Sequence, residues 1–81
     1  MSDKPLLMRH VLGVIEASRD DMPDALARIA DFIVREPEVA VRASMSDLAV
    51  LSGSGEASIA RFCRKLGYDG FSAFKISLAS D

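Results

Sequence analysis

Apolar residues recur at helical spacing in the second half of the chain, on both sides of a break rich in glycine and serine. Leu48 and Ala49 precede the break, and four apolar residues follow it at i, i+3, i+4 and i+7: Ile59, Phe62, Cys63 and Leu66. That spacing marks one face of an α-helix. Residues 51–55 hold two glycines and two serines, which end a helix. The pattern over 44–67 therefore predicts two short helices joined by a tight turn, a helix-turn-helix.

Three further helices are predicted around this unit. The first runs from Pro5 to about Ala17 or Ser18, and its apolar positions are Leu6, Leu7, Met8, Val11, Leu12, Val14 and Ile15. This apolar face is wide, so it indicates either cover for the domain's own core or an interface with a partner. The second helix begins at Pro23 and Asp24 and ends at Glu36, because a residue before proline avoids the α region. Its buried stripe is Leu26, Ile29, Ala30 and Ile33, with Phe32 beside it.

The last helix is predicted to begin at Asp69 or Gly70, with Phe71, Phe74 and Leu78 on one face. Residues around Val39 and Val41 are expected to form a short linker. The fold prediction is thus an all-α, five-helix helix-turn-helix domain spanning residues 1–81, with a homeodomain-like three-helix core plus flanking helices. Ser44 is expected to cap the first helix of the motif and Gly67 to terminate the second.

The turn itself carries the detail that favours DNA binding. A small residue, Ala49, allows the two helices to cross closely, and Gly53 suits a left-handed turn position. Ile59 and Phe62 then fill the angle between the helices. DNA-binding helix-turn-helix units share this pattern, but any tight helical hairpin has the same needs, so an interaction module remains an alternative at this point.

The outward face of the second helix carries small residues first, Ala57 and Ser58, and basic residues later. A recognition helix enters the major groove by its amino-terminal end, where small side chains permit close approach. The alternative is a solvated basic face at a helix carboxyl end. The predicted DNA-contacting residues are Ser44, Ser46, Ser54, Gly55, Ala57, Ser58, Arg61, Arg64, Lys65 and Lys75.

Composition fits one small globular domain: 81 residues, 49% of them hydrophobic. The net charge of −2 does not favour DNA binding, but residues 55–68 carry three basic side chains and one acidic one. Because a monomer neutralises few phosphates, we expect a homodimer, formed through the N-terminal helix. Cys63 is the single cysteine and is expected to be a buried thiol in a cytoplasmic protein. We find no membrane span, metal-ligand cluster, cofactor loop or nucleophile–base pair, so no catalysis is expected.

Several segments together resemble the N-terminal DNA-binding domain of the RpiR family of bacterial transcriptional regulators. The matching segments are residues 28–33, 36–40, 44–49, 57–68 and 69–75, of which Arg61-Phe62 followed by Leu66-Gly67-Tyr68 and Gly70-Phe71 is the most specific. The resemblance implies an operator-binding dimer that represses or activates transcription. It also implies a C-terminal sugar-isomerase-like domain that senses a phosphosugar. That domain is not in this sequence, so the chain is expected to be a fragment.

Two positions depart from the family pattern. Ser54-Gly55 stands where the family usually has Val-Ser, which removes a capping hydroxyl and an apolar plug from the turn. A more mobile turn is therefore expected. Met22-Pro23 replaces the more common Leu-Thr helix start. The alternative function is a helical dimerisation or protein-interaction module without DNA binding, which would use the first helix or the same groove face.

Overall fold

The computed structural model describes residues 9–80, and this part of the chain folds into six α-helices. They are α1 (Arg9–Ser18), α2 (Asp24–Arg35), α3 (Pro37–Arg42), α4 (Met45–Ser52), α5 (Glu56–Lys65) and α6 (Phe71–Ser80). A short 3-10 turn, Arg19–Asp21, connects α1 to α2. The all-α helix-turn-helix fold predicted from the sequence is confirmed, with one more helix than expected.

The additional helix is α3, which occupies the segment predicted to be a linker. Pro37 ends α2, as predicted, but its fixed backbone angle and missing N–H also suit the first position of a new helix. Ala40 is completely buried and Val41 packs against the core, so tertiary packing stabilises a helix of six residues. Val39 is exposed. The linker prediction was wrong because Pro37 was taken as a stop signal alone.

The core lies where α2 and α5 meet, with α4 and α6 packed against α5 and α1 against α2. Its completely buried large side chains come from five of the six helices: Val11, Leu12, Ile15, Ile29, Ile33, Leu48, Ile59, Phe62, Cys63, Phe74 and Leu78. The predicted stripes on the described helices are confirmed, except that Leu66 and Phe71 are half-buried and pack against the edge of the core. Phe62 and Phe74 make an edge-to-face contact, with ring centroids 5.7 Å apart.

Helix α1 turns its described apolar face inward. Val11, Leu12 and Ile15 are at most 1% exposed, so they cover the core of their own domain. Damage from a Val11 substitution would therefore reflect loss of the core rather than loss of a partner. The predicted helical positions Pro5, Leu6, Leu7 and Met8 lie outside the described residues, and so does the use of that segment for dimerisation.

An exposed ion pair links the turn after α1 to α2. The Arg19 guanidinium donates to both carboxylate oxygens of Asp31, at 2.8 and 3.0 Å. This hydrogen bond lowers the pKa of Asp31. Both side chains face solvent, where such pairs contribute little to stability. The pair therefore orients the α1–α2 turn more than it stabilises the fold.

Cys63 is expected to be chemically silent in the native protein. It is completely buried in the core, and burial raises the pKa of its thiol to about 12. The thiolate is the nucleophile, so native protein at pH 8 is expected to resist iodoacetamide and to react only in denaturant. Mass spectrometry of timed reactions measures this. Rapid labelling of native protein would contradict the buried position of α5's apolar face.

Candidate nucleic-acid interface

The turn between α4 and α5 is fixed by backbone hydrogen bonds. Gly53 has φ +71°, the left-handed conformation predicted for it. Its N–H donates to the Val50 carbonyl at 3.1 Å, and the Ser54 N–H donates to the Ala49 carbonyl at 2.8 Å. Together these bonds form a Schellman motif, which satisfies the last carbonyls of α4 and reverses the chain. The turn therefore sets the direction in which α5 leaves.

A pair of hydroxyls holds the same turn from inside. Ser52 is buried, and its hydroxyl donates to the Leu48 carbonyl at 2.7 Å. The Ser52 and Ser54 oxygens lie 2.9 Å apart, at hydrogen-bonding distance. A hydrogen-bonded pair thus occupies the place where the family pattern has an apolar plug. Ser52 is not among the residues predicted for the site, although a serine four residues after Leu48 in a helix often bonds back to the carbonyl.

Helix α5 is anchored by its apolar face. Ile59, Phe62 and Cys63 are completely buried, and Ala49 at the crossing with α4 is 5% exposed. These four positions are confirmed. At the far end, Gly67 has φ +99°, and the Tyr68 N–H donates to the Cys63 carbonyl at 3.0 Å. A second Schellman motif therefore ends α5 as predicted.

The opposite face of α5 is open to solvent. Ala57, Arg61, Arg64 and Lys65 are exposed, and Ser58 is half-buried. Within residues 9–80, no carboxylate forms a salt bridge with Arg61, Arg64 or Lys65. Among the described residues, these three cations therefore have no ion-pair partner. The five residues of α5 that are predicted to contact DNA thus lie on one helix, with the small residues at its amino-terminal end.

The remaining predicted DNA-contacting residues lie at three other places. Ser44 caps α4, and its hydroxyl accepts a 3.1 Å hydrogen bond from the Asp47 N–H, as predicted. Ser46 is exposed in the first turn of α4, and Gly55 occupies the N-cap of α5 without a side-chain cap. Lys75 lies on α6, where its ammonium group donates to the Ala43 carbonyl. Its charge is therefore held by the domain, unlike the charges on α5.

Gly53→Ala is expected to lower the free energy of unfolding by about 1–2 kcal/mol. No atom lies within 4 Å of an added Cβ at residue 53, so the whole cost is backbone strain at positive φ. Gly55→Ser is the matched variant, because Gly55 has an extended backbone at an N-cap. It is expected to gain a few tenths of a kcal/mol. Urea titrations of both variants measure the difference, and equal effects would contradict the geometry of the turn.

An apolar groove lies between α3 and α4, and no residue of α5 lines it. It is lined by Val39, Ala43, Val50 and Leu51, with Arg42 and Asp47 also at its wall. Val50 is 79% exposed. This groove has no cationic cluster, and it provides a reference surface against which binding by α5 is judged.

Residues 9–80 contain neither a membrane-spanning helix nor a cluster of metal-ligating side chains. None of their helices has the length and apolar character that a bilayer crossing requires. No three side chains of the kinds that ligate metals come together in that part of the chain.

Comparison with known proteins connects this geometry to a family. Residues 9–81 match the helix-turn-helix domain of the rpiR family. An HTH-type transcriptional regulator of Haemophilus influenzae is 37% identical over 70 residues, which are 86% of this chain and 24% of that protein. Another, from Caldanaerobacter subterraneus, is 39% identical over 72 residues, 89% of this chain and 26% of the relative. The HTH-type transcriptional regulator HexR of Pseudomonas aeruginosa is 33% identical over 72 residues, which are 89% of this chain and 25% of HexR.

The same arrangement of helices occurs in a crystal structure, that of the N-terminal domain of the transcriptional regulator ybbH from Bacillus subtilis. It superposes with a TM-score of 0.82 at 28% sequence identity, and the match covers 86% of this chain and 85% of that one. The chain spans about a quarter of the length of the curated relatives it matches.

Proposed function

The chain belongs to the rpiR family of helix-turn-helix domains, and from this we propose that α5 reads operator DNA as the recognition helix of a bacterial transcriptional regulator. One observation carries the proposal. The apolar side of α5 is completely buried, while Arg61, Arg64 and Lys65 project without a carboxylate partner among residues 9–80. A helix anchored in this way leaves its cationic side chains accessible to the phosphates of DNA.

The order of residues along α5 suits insertion by its amino-terminal end. Ala57 would contact a thymine methyl group, and Ser58 a base edge or a phosphate. Arg61 is one turn further along and reaches a guanine edge or a phosphate. Arg64 and Lys65 would bind the phosphate backbone, which positions the domain without reading sequence. Ser44, Ser46, Ser54 and Gly55 would contact phosphates from the start of α4 and from the turn.

The proposal extends to assembly and regulation. Two copies would bind adjacent half-sites, because one domain with net charge −2 neutralises few phosphates. The regulated genes would belong to sugar or phosphosugar metabolism, with the phosphosugar sensed by a separate sugar-isomerase-like domain of the full-length regulator. The site of action would be the cytoplasm, where chromosomal DNA lies. The domain itself would bind DNA without a catalytic step.

Selection of duplexes from a random-sequence pool tests the proposal. We expect the selected duplexes to share a common sequence motif. Fluorescence anisotropy then measures how tightly the domain binds the enriched duplex. The logarithm of the association constant should fall linearly with the logarithm of salt concentration, by about 0.9 for each phosphate contacted. Failure to enrich any motif would contradict sequence-specific binding. If the domain also bound the unselected duplexes without dependence on salt, or not at all, a protein-interaction module would be favoured instead.

A further inference from the structure

We infer that Lys75 is a positioning residue for DNA binding, which ties the segment after the recognition helix to the corner that precedes α4. This inference rests on the proposed function. It assigns Lys75 a different role from the phosphate contact predicted by the sequence, because the structure shows where its ammonium group is held.

Two contacts fix the Lys75 side chain. The ammonium group donates a hydrogen bond to the backbone carbonyl of Ala43, which is 32 residues earlier in the chain. The same group lies 5.2 Å from the ring centroid of Phe71, one turn earlier on α6, as a cation–π contact requires. Lys75 is half-buried, so its alkyl stem crosses the α6–α3 contact while its charge reaches the carbonyl.

The acceptor of this hydrogen bond lies in the two-residue connection between α3 and α4. Ala43 ends α3, where its N–H donates to the Val39 carbonyl at 3.1 Å, and Ser44 immediately caps α4. Both residues are extended, with ψ 143° at Ala43 and 169° at Ser44, so the chain changes direction between the last amide bond of α3 and the first of α4. A hydrogen bond to the Ala43 carbonyl therefore fixes the direction in which α4 begins.

The contact also closes a loop around the whole motif. Residues 43 and 75 flank the helix-turn-helix on its two sides, so the bond joins its entrance to the helix that follows its exit. The start of α4 carries Ser44 and Ser46, and α5 carries Arg61. These two groups must reach one DNA duplex together. Lys75 would hold their relative position without touching the duplex.

Direct phosphate contact by Lys75 is the competing explanation, and salt dependence separates the two. Lys75→Met keeps an apolar stem and removes the donor, while Lys75→Arg keeps a cationic donor. We expect Lys75→Met to weaken binding of the selected duplex roughly three- to tenfold, the equivalent of one hydrogen bond, at every salt concentration. The salt slope should stay unchanged, and Lys75→Arg should restore most of the affinity.

Lys65→Met is the matched control. It removes the same charge from α5, where a phosphate contact is proposed, so its salt slope should fall by about 0.9. All measurements are made well below the midpoint of thermal unfolding of each variant, so that loss of folded protein does not contribute. A reduced slope for Lys75→Met would overturn the positioning role in favour of a phosphate contact. Unchanged affinity would overturn any role in binding.

A second measurement needs no DNA. The Asp47 and Leu48 amides donate to the side-chain and backbone oxygens of Ser44 in the first turn of α4. Native-state hydrogen exchange of these two amides is expected to accelerate in Lys75→Met and to recover in Lys75→Arg. Amides in the middle of α2 should not change. If wild-type protein binds no DNA, the proposed function fails, whereas unchanged exchange at Asp47 and Leu48 would refute the tether itself.

Discussion

Phe62→Ala is expected to lower the free energy of unfolding by about 3–5 kcal/mol, the largest effect of any substitution considered. Phe62 is completely buried and packs edge-to-face against Phe74. It lies on α5, which also contacts α2 and α4. Its removal leaves a cavity in the core. Because a domain of this size has a total stability of roughly 5–10 kcal/mol, the variant should be close to unfolding at 37 °C.

Urea titration followed by circular dichroism measures this loss. Val50→Ala is the control, since Val50 is 79% exposed on α4 and should change stability by no more than about 0.5 kcal/mol. A loss below about 1 kcal/mol for Phe62→Ala would mean that α5 is not anchored by its apolar face. The exposed position of its basic face would then have no structural basis.

Arg61→Ala is expected to weaken binding of the selected operator by about 1–3 kcal/mol and to relax the preference at the base pairs that this residue contacts. Arg61 is exposed at the middle of α5 and forms no ion pair within residues 9–80. Its removal should therefore leave the fold intact. Anisotropy titrations, with a second round of duplex selection by the variant, measure both effects.

Arg28→Ala provides the matched control for Arg61→Ala. It removes the same charge from the exposed face of α2, outside the proposed interface. We expect its affinity for the operator to stay within about twofold of wild type, since a surface charge that contacts no phosphate contributes little at physiological salt. Equal losses for the two variants would indicate a general charge effect instead of recognition by α5.

The long periodic helices could be predicted from the sequence because their stabilising pattern is local. Ile59, Phe62 and Cys63 recur at helical spacing, and Gly53 and Gly67 mark turns where positive φ is needed. Helix α3 has six residues, fewer than two turns, so it carries no such period. Its buried Ala40 depends on contacts with other helices.

The parts of the site that could not be predicted depend on contacts between distant residues or on hydroxyl geometry. The hydrogen bond from Lys75 to the Ala43 carbonyl could not be predicted, because the two residues are 32 positions apart in the chain. Likewise, the hydrogen bond between Ser52 and Ser54 could not be predicted, because it depends on the orientation of two hydroxyl groups. Which side of α5 faces outward followed from the apolar stripe, since the polar residues occupy the remaining face.

The most direct test of the central claim is a titration of isotope-labelled protein with the selected duplex, followed by the amide chemical shifts of each residue. We predict saturable changes that are largest at Ala57, Ser58 and Arg61, with smaller ones at the start of α4 and little change at Val50 and Leu51 in the α3–α4 groove. Changes centred on that groove, with α5 unaffected, would contradict it.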